Sequence, residues 1–320
     1  MKISIIFTGG TIGSRAKREW VGIDESTNYL LLERIDKTGV EFKTVSPYSI
    51  LSENLSAKEL NLLQAAVREE LEKQPDGIIV THGTDTLQYS AAAIEYAFAD
   101  TPVPIVFVSA DYPLDNPETN GYANFEAAVR YIQAGGPKGV FVSYKNAGDR
   151  AKIHLASRVL QHTEGVADVH SIGEVVATYG AALEAHSVAF AAPQPLGVVP
   201  YTEDAQILSV ESAPGNAYRY ALDGVKAIIL KPYHSATLDT ANKALKTFCR
   251  RADEAGIPVF VCGAREGSGY ESAKLFSELN IRVAPYGTYV SLFMKLWAAI
   301  SLEKEIVPFV ETQIANEWVK

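Results

Sequence analysis

Only two cysteines, Cys249 and Cys262, occur in 320 residues. That number excludes a disulfide framework, and their spacing fits no zinc-ligand motif. No stretch approaches the roughly 20 apolar residues of a membrane span. The apolar run at residues 3–7 is too short for a signal-peptide core, and no small-residue cleavage site follows it. These absences give the expectation of a cytoplasmic, soluble protein in a reducing compartment. Positive charge is also scarce: 29 Lys and Arg face 38 Asp and Glu, a net charge of −9. Nucleic acid and membrane surfaces are therefore not expected partners. The six histidines form no H-E-x-x-H, so no metal site is expected. There is no G-x-S-x-G elbow, and neither the dinucleotide fingerprint nor the phosphate loop is present. No bound cofactor is expected. Internal repeats and low-complexity tracts are missing as well.

What remains is ordinary globular material, 47% apolar and 21% charged, long enough for two domains. Apolar, β-branched runs at 3–7, 77–80, 104–108 and 139–142 end in turn residues, as do strands covered on both faces. Helical patterns separate them. Ser56 and Glu59 form a capping box, and Leu60, Leu63, Val67 and Leu71 follow at helical spacing. Further helices are expected at about 86–98 and 122–133. Such alternation predicts an α/β fold with a mostly parallel sheet. Pro193, Pro195, Gly197 and Pro200 crowd a short segment, so residues 193–205 read as a linker. A larger N-terminal α/β domain (1–192) and a smaller C-terminal α/β domain (206–320) are expected on either side. In the latter, strands are expected at 225–230 and 257–261, and helices at 238–255, 289–300 and 306–318.

Two segments carry the chemistry. Thr8-Gly9-Gly10-Thr11-Ile12 follows the first strand, and Thr81-His82-Gly83-Thr84-Asp85-Thr86 follows the second. Ligands of open α/β sheets bind beyond the carboxyl ends of strands, where glycines let the backbone approach closely. Each segment alone has a plain structural reading, as a strand-to-loop turn or as a helix N-cap by Thr84 or Asp85. Together they supply two hydroxyls, a carboxylate and backbone N–H groups. Such a set can attack a carbonyl carbon and hold the oxyanion that develops, once the hydroxyl is activated.

The two segments, about 70 residues apart, resemble the paired signatures of the bacterial-type L-asparaginase family. That family includes glutaminase-asparaginases and the asparaginase-like subunit of an archaeal tRNA amidotransferase. Ser109-Ala110-Asp111-Tyr112-Pro113 and Asn120-Gly121-Tyr122-Ala123-Asn124 resemble its next segment, with variation. The C-terminal half resembles its smaller domain. The resemblance implies a threonine amidohydrolase that converts L-asparagine to L-aspartate and ammonia. It implies Thr11 as nucleophile, Thr84 as second catalytic threonine, and Asp85 as the acid that pairs with the substrate's α-ammonium. It also implies a substrate clamp: Ser52 on the α-carboxylate, Glu53 facing the amino group, and Gly83 lining the site. Without it, Ser52 and Glu53 read as a polar turn. Homodimers or homotetramers with sites near subunit contacts are implied too.

Two departures bear on the mechanism. The family's loop tyrosine after the first threonine is missing from residues 14–21; Trp20 and Tyr29 are its candidate substitutes. The family's lysine, paired with the second threonine and aspartate, is also missing. One alignment sets Gln161 in its place, and counting from Arg158 gives His162. Lys152 or Arg158 are alternative sources of charge. Two alternatives to asparagine hydrolysis follow: an amidase for glutamine or another amide, and a catalytically weak homologue that binds an amino acid.

Overall fold

A computed structural model describes residues 1–16, 21–24, 30–264 and 269–319. Two compact units emerge: Met1–Val199 with Ile314–Asn316, and Pro200–Gln313 with Glu317–Lys320. In chain order the first contains β1 (Lys2–Phe7), the hairpin β2 (Ser14–Ala16) and β3 (Val21–Ile23), α1 (Leu30–Arg34), β4 (Glu41–Val45), α2 (Ala57–Glu72), β5 (Gly77–Thr81), α3 (Leu87–Ala97), β6 (Pro104–Val108), α4 (Gly121–Gln133), β7 (Gly139–Lys145), β8 (Ala151–Leu155), β9 (Ala177–Tyr179) and β10 (Leu183–Ala185).

The main sheet runs β10-β9-β8-β7-β6-β5-β1-β4. The five strands from β4 to β7 are parallel. The remaining three extend the sheet antiparallel, an addition that the short runs at 151–155, 177–179 and 183–185 did not announce. Alternate residues of the central strands face opposite layers. Ile3, Ile5, Phe7, Ile79 and Val106 pack with α4 on one side. Ile6, Ile78, Val80, Ile105 and Phe107 pack with α2 and α3 on the other. Burial on both faces explains why these strands read as unbroken apolar runs. At the start of α2, the Glu59 carboxylate accepts from the Ser56 backbone N–H at 3.2 Å, completing the expected capping box.

Strand order also locates the place where a ligand fits. After β1 the chain moves to β4, on one side. After β5 it moves to β6, on the other. Adjacent strands whose connections leave in opposite directions form a topological switch point, with a crevice at their carboxyl ends. Both signature segments begin there.

The second unit has its own parallel sheet, β11 (Ile207–Glu211), β12 (Ala227–Lys231), β13 (Val259–Val261) and β14 (Ile281–Val283). Helices α5 (Lys243–Glu254), α6 (Glu271–Lys274), α7 (Tyr289–Ser301) and α8 (Ile306–Val310) accompany it. α8 corrects the expected helix over 306–318, because it stops at Val310. The tail has other bonds to make. Asn316 serves the first unit, and Glu317 turns inward to a buried ion pair with Lys295 at 2.8 Å. Both Cys249 and Cys262 are free and buried. No helix among the described residues is long and apolar enough to cross a membrane.

The Lys295–Glu317 pair generates a prediction. Both side chains are almost fully buried, so removing one strands the other charge without solvent. Lys295→Ala should cost about 3–5 kcal/mol of stability. The fluorescence of Trp297 and Trp318, both in this unit, during urea unfolding measures it. Lys295→Met combined with Glu317→Leu should recover most of the loss.

Candidate active site

Three backbone segments meet at the switch point. Gly9 bridges to Ile50 in parallel fashion; the Gly10 N–H donates to the Ile50 carbonyl at 2.8 Å, and the Ile50 N–H to the Thr8 carbonyl at 3.1 Å. Gly10 in turn lies against Gly83. A Cβ on Gly10 would come within 2.2 Å of the Gly83 Cα, and φ at Gly10 is +74°. A Cβ on Gly83 would meet the Ser52 hydroxyl at 2.4 Å. No side chain fits between these strands of backbone, so glycine is required at both places. The Thr86 hydroxyl donates to the Ser52 carbonyl at 2.8 Å, tying the second and third segments together.

Thr11, Ser52, Gly83, Thr84 and Asp85 therefore lie on loops in direct contact. Thr11 opens the turn Thr11–Gly13, and Thr84 opens the turn Thr84–Thr86 that leads into α3. Both threonines are half-buried, Ser52 and Gly83 are buried, and Asp85 is exposed. Glu53 is exposed on the turn Ser52–Asn54, next to Ser52. Thr86, the residue that precedes α3, makes no side-chain cap bond.

His82 has a different task. Its Nδ1 lies 2.9 Å from the Gly83 carbonyl and its Nε2 lies 2.8 Å from the Ser90 hydroxyl. Burial pushes its ionisation down to about 4, against the pull of the Gly83 carbonyl. A neutral ring with Nδ1–H donating and Nε2 accepting satisfies both contacts. His82 is thus a brace for the second loop. The brace continues: the Ser109 hydroxyl donates to the His82 carbonyl at 2.6 Å, and the Asn124 amide to the Ser109 carbonyl at 2.8 Å. Sequence reasoning places Ser109 and Asn124 in a segment of family resemblance but misses this purpose. These partners are 27 and 15 residues apart in the chain, and no local pattern signals their pairing.

The candidates for added charge sort clearly. Lys152 pairs with Asp149 at a hairpin turn. Arg158 Nε donates to the Asn316 carbonyl at 2.6 Å. Gln161 is exposed, whereas His162 is half-buried and feels the Asp85 carboxylate. Trp20 and Tyr29, the candidate substitutes for the loop tyrosine, lie outside the described residues. At the root of that loop Arg15 forms ion pairs with Asp24 at 3.4 Å and Asp115 at 3.8 Å. Among the described residues, no group of three or more His, Cys, Asp or Glu side chains is arranged to hold a metal ion. The second unit has a cavity of about 870 Å³ lined by Lys226, Cys249 and Arg282. It opens at the amino ends of β12–β14, the wrong end of a parallel sheet for the usual ligand crevice.

The glycine contact is testable. Gly10→Ala adds a backbone clash to the strain of a positive φ and should cost roughly 2–5 kcal/mol. Gly135→Ala, at φ +67° with nothing within 4 Å, should cost only the strain of roughly 1–2 kcal/mol. Thermal unfolding of the two variants separates the effects.

Comparison with known proteins agrees with this geometry. The family profile "Asparaginase, N-terminal" matches residues 2–187. A glutamyl-tRNA(Gln) amidotransferase subunit of Methanosarcina mazei is 39% identical over 162 residues, 49% of this chain and 38% of that protein. The same amidotransferase subunit from Halobacterium salinarum is 31% identical over 238 residues, 71% of this chain and 51% of its own length. The matches thus span about half or less of these curated relatives. Among solved structures, the L-asparaginase of Thermococcus kodakarensis superposes with a TM-score of 0.82 at 23% identity, covering 100% of both chains. L-asparaginase I of Vibrio cholerae gives 0.82 at 20% identity, over 100% of this chain and 99% of its own. Those two establish the fold. With the family profile matched over more than half its length, on a sheet whose switch point gathers both signature loops, the chain belongs to the asparaginase family of amidohydrolases.

Proposed function

We propose that this protein hydrolyses the side-chain amide of L-asparagine, giving L-aspartate and ammonia, with Thr11 as nucleophile. The observation that carries the reading is the backbone contact between Gly10 and Gly83, which sets a threonine one residue further along each of two loops. The Thr11 oxygen attacks the amide carbon, and backbone N–H groups stabilise the oxyanion. Collapse expels the amide nitrogen, which leaves as ammonia after gaining a proton. Water then hydrolyses the threonine ester, releasing aspartate and regenerating the hydroxyl. Thr84 and Asp85 form the second pair, and Asp85 also holds the α-ammonium. Ser52 anchors the α-carboxylate, Glu53 faces the amino group, and Gly83 lines the site. A homodimer or homotetramer in the cytoplasm completes the reading.

A second reading has a specific support. The relatives at 39% and 31% identity carry the name of a glutamyl-tRNA(Gln) amidotransferase component. Glutamine is then the alternative amide. Ammonia release from L-asparagine and from L-glutamine, measured side by side, separates the two.

Thr11→Ala should reduce amide hydrolysis about 10³-fold or more, with circular dichroism unchanged. Asp85→Asn should lower kcat/KM roughly 10- to 100-fold, because an ammonium–carboxylate bond is charge-assisted. An N-cap would tolerate the same change, since asparagine caps as well as aspartate. Wild-type rates in either variant would remove that residue from the mechanism.

A further inference from the structure

Thr86 stands where a helix cap belongs, yet its hydroxyl points elsewhere. It precedes α3 with φ −126° and ψ 15°, and its side chain makes no cap bond. Thr288 occupies the same place before α7, and there the hydroxyl accepts from the Ser291 N–H at 3.0 Å. Such a cap satisfies one of the unpaired N–H groups at a helix start and stabilises the helix. At Thr86 the hydroxyl instead donates to the Ser52 carbonyl at 2.8 Å, across 34 residues of sequence. A local contribution to helix stability is given up for a tie between two loops.

Ser52 does not need this tie for its own polar groups to be paired. Its carbonyl already accepts from the Leu55 N–H at 3.0 Å, closing the turn Ser52–Asn54. A carbonyl oxygen has two lone pairs, and Thr86 takes the second. What the tie fixes is a spacing. Ser52 packs against Gly83, where not even a Cβ would fit, so the two loops can come no closer. The Thr86 bond keeps them from separating. Asp85 directly precedes Thr86, and its carbonyl is held in turn by the buried Gln88 side chain, whose amide donates to it at 3.0 Å. The backbone that carries Ser52 and the backbone that carries Asp85 are therefore locked to each other.

We propose that Thr86 is a positioning residue for the recognition of α-amino acids: it sets the spacing between Ser52, which holds the α-carboxylate, and Asp85, which holds the α-ammonium. The inference rests on that reading of Ser52 and Asp85. In an α-amino acid both groups sit on one carbon, so their anchors must stand at one separation. A ligand with only one of the two groups can shift to suit its single anchor and does not sense that separation. Thr86 thus acts on the selection of ligands that carry both groups, and not on the attack by Thr11.

The test uses Thr86→Val, which removes the donor and keeps the branched shape, and Thr86→Ser, which keeps the donor. The probes are L-aspartate, succinate (aspartate without its amino group) and β-alanine (aspartate without its α-carboxylate), each as an inhibitor of L-asparagine hydrolysis. Thr86→Val should raise the KM for L-asparagine and the inhibition constant of L-aspartate roughly tenfold. In the same variant kcat should fall less than about threefold, and the constants for succinate and β-alanine should stay within about twofold of wild type. Thr86→Ser should behave as wild type. Circular dichroism and thermal unfolding check the fold. Weakening of all three inhibitors by one factor would mean general support of the loops and overturn the inference. An unchanged KM in Thr86→Val, or a loss confined to kcat, would overturn it as well. Isothermal titration of the wild type tests the underlying reading separately. If L-aspartate binds no more tightly than succinate and β-alanine, Ser52 and Asp85 are not the two anchors, and the inference falls with that reading.

Discussion

Contact between the backbones of Gly10 and Gly83 is the constraint on which the site depends. Neighbouring parallel strands lie about 4.8 Å apart, and the loops leaving β1 and β5 depart in opposite directions. Loops with side chains at their closest approach would be forced apart. Without a Cβ on either residue they stay in contact at Gly10 and Gly83, beyond the strand ends at Phe7 and Thr81, and Thr11 and Thr84 follow directly. Gly9 meets Ile50 at the same level, so the Ser52 segment is held by the same interlock. Close packing of backbone transmits small displacements, and a shift of about 1 Å at reacting groups costs about 10²-fold in rate. The glycines therefore contribute to function through precision of placement.

Rigidity beneath the loops comes from satisfied polar groups. The Thr8 hydroxyl donates to the Thr81 carbonyl at 2.7 Å, joining the ends of β1 and β5. His82, Ser90, Ser109 and Asn124 then tie the second loop to α3, β6 and α4. All four are buried, and each bond replaces one that water would have made. His82 in this setting cannot serve as a base at neutral pH with a free lone pair, because the lone pair already faces a hydroxyl. By contrast, Thr11, Thr84 and Asp85 retain exposure. The division is between groups that hold the loops and groups that are presented by them.

Much of this was legible in the sequence. Unbroken apolar runs marked the parallel strands, and glycines after them marked the loops. The capping box before α2 was readable because all its partners lie within four residues. The antiparallel strands were not readable: at three to five residues each, they carry too little periodicity, and only pairing with β7 makes them strands. The tail misled for a related reason. Its helical pattern continues past Val310, but tertiary bonds of Asn316 and Glu317 outweigh local preference. The brace from His82 to Asn124 joins residues far apart in the chain, so no local pattern announces it. His162 was one of two alternatives by alignment, and only the folded chain separates its half-buried ring from exposed Gln161.

The central claim is that Thr11 forms the covalent bond to the substrate. The most direct measurement is mass spectrometry of peptides from enzyme quenched with acid during turnover of L-asparagine. The account predicts an added aspartyl group on the peptide that contains Thr11. An aspartyl group on the peptide that contains Thr84 would contradict it.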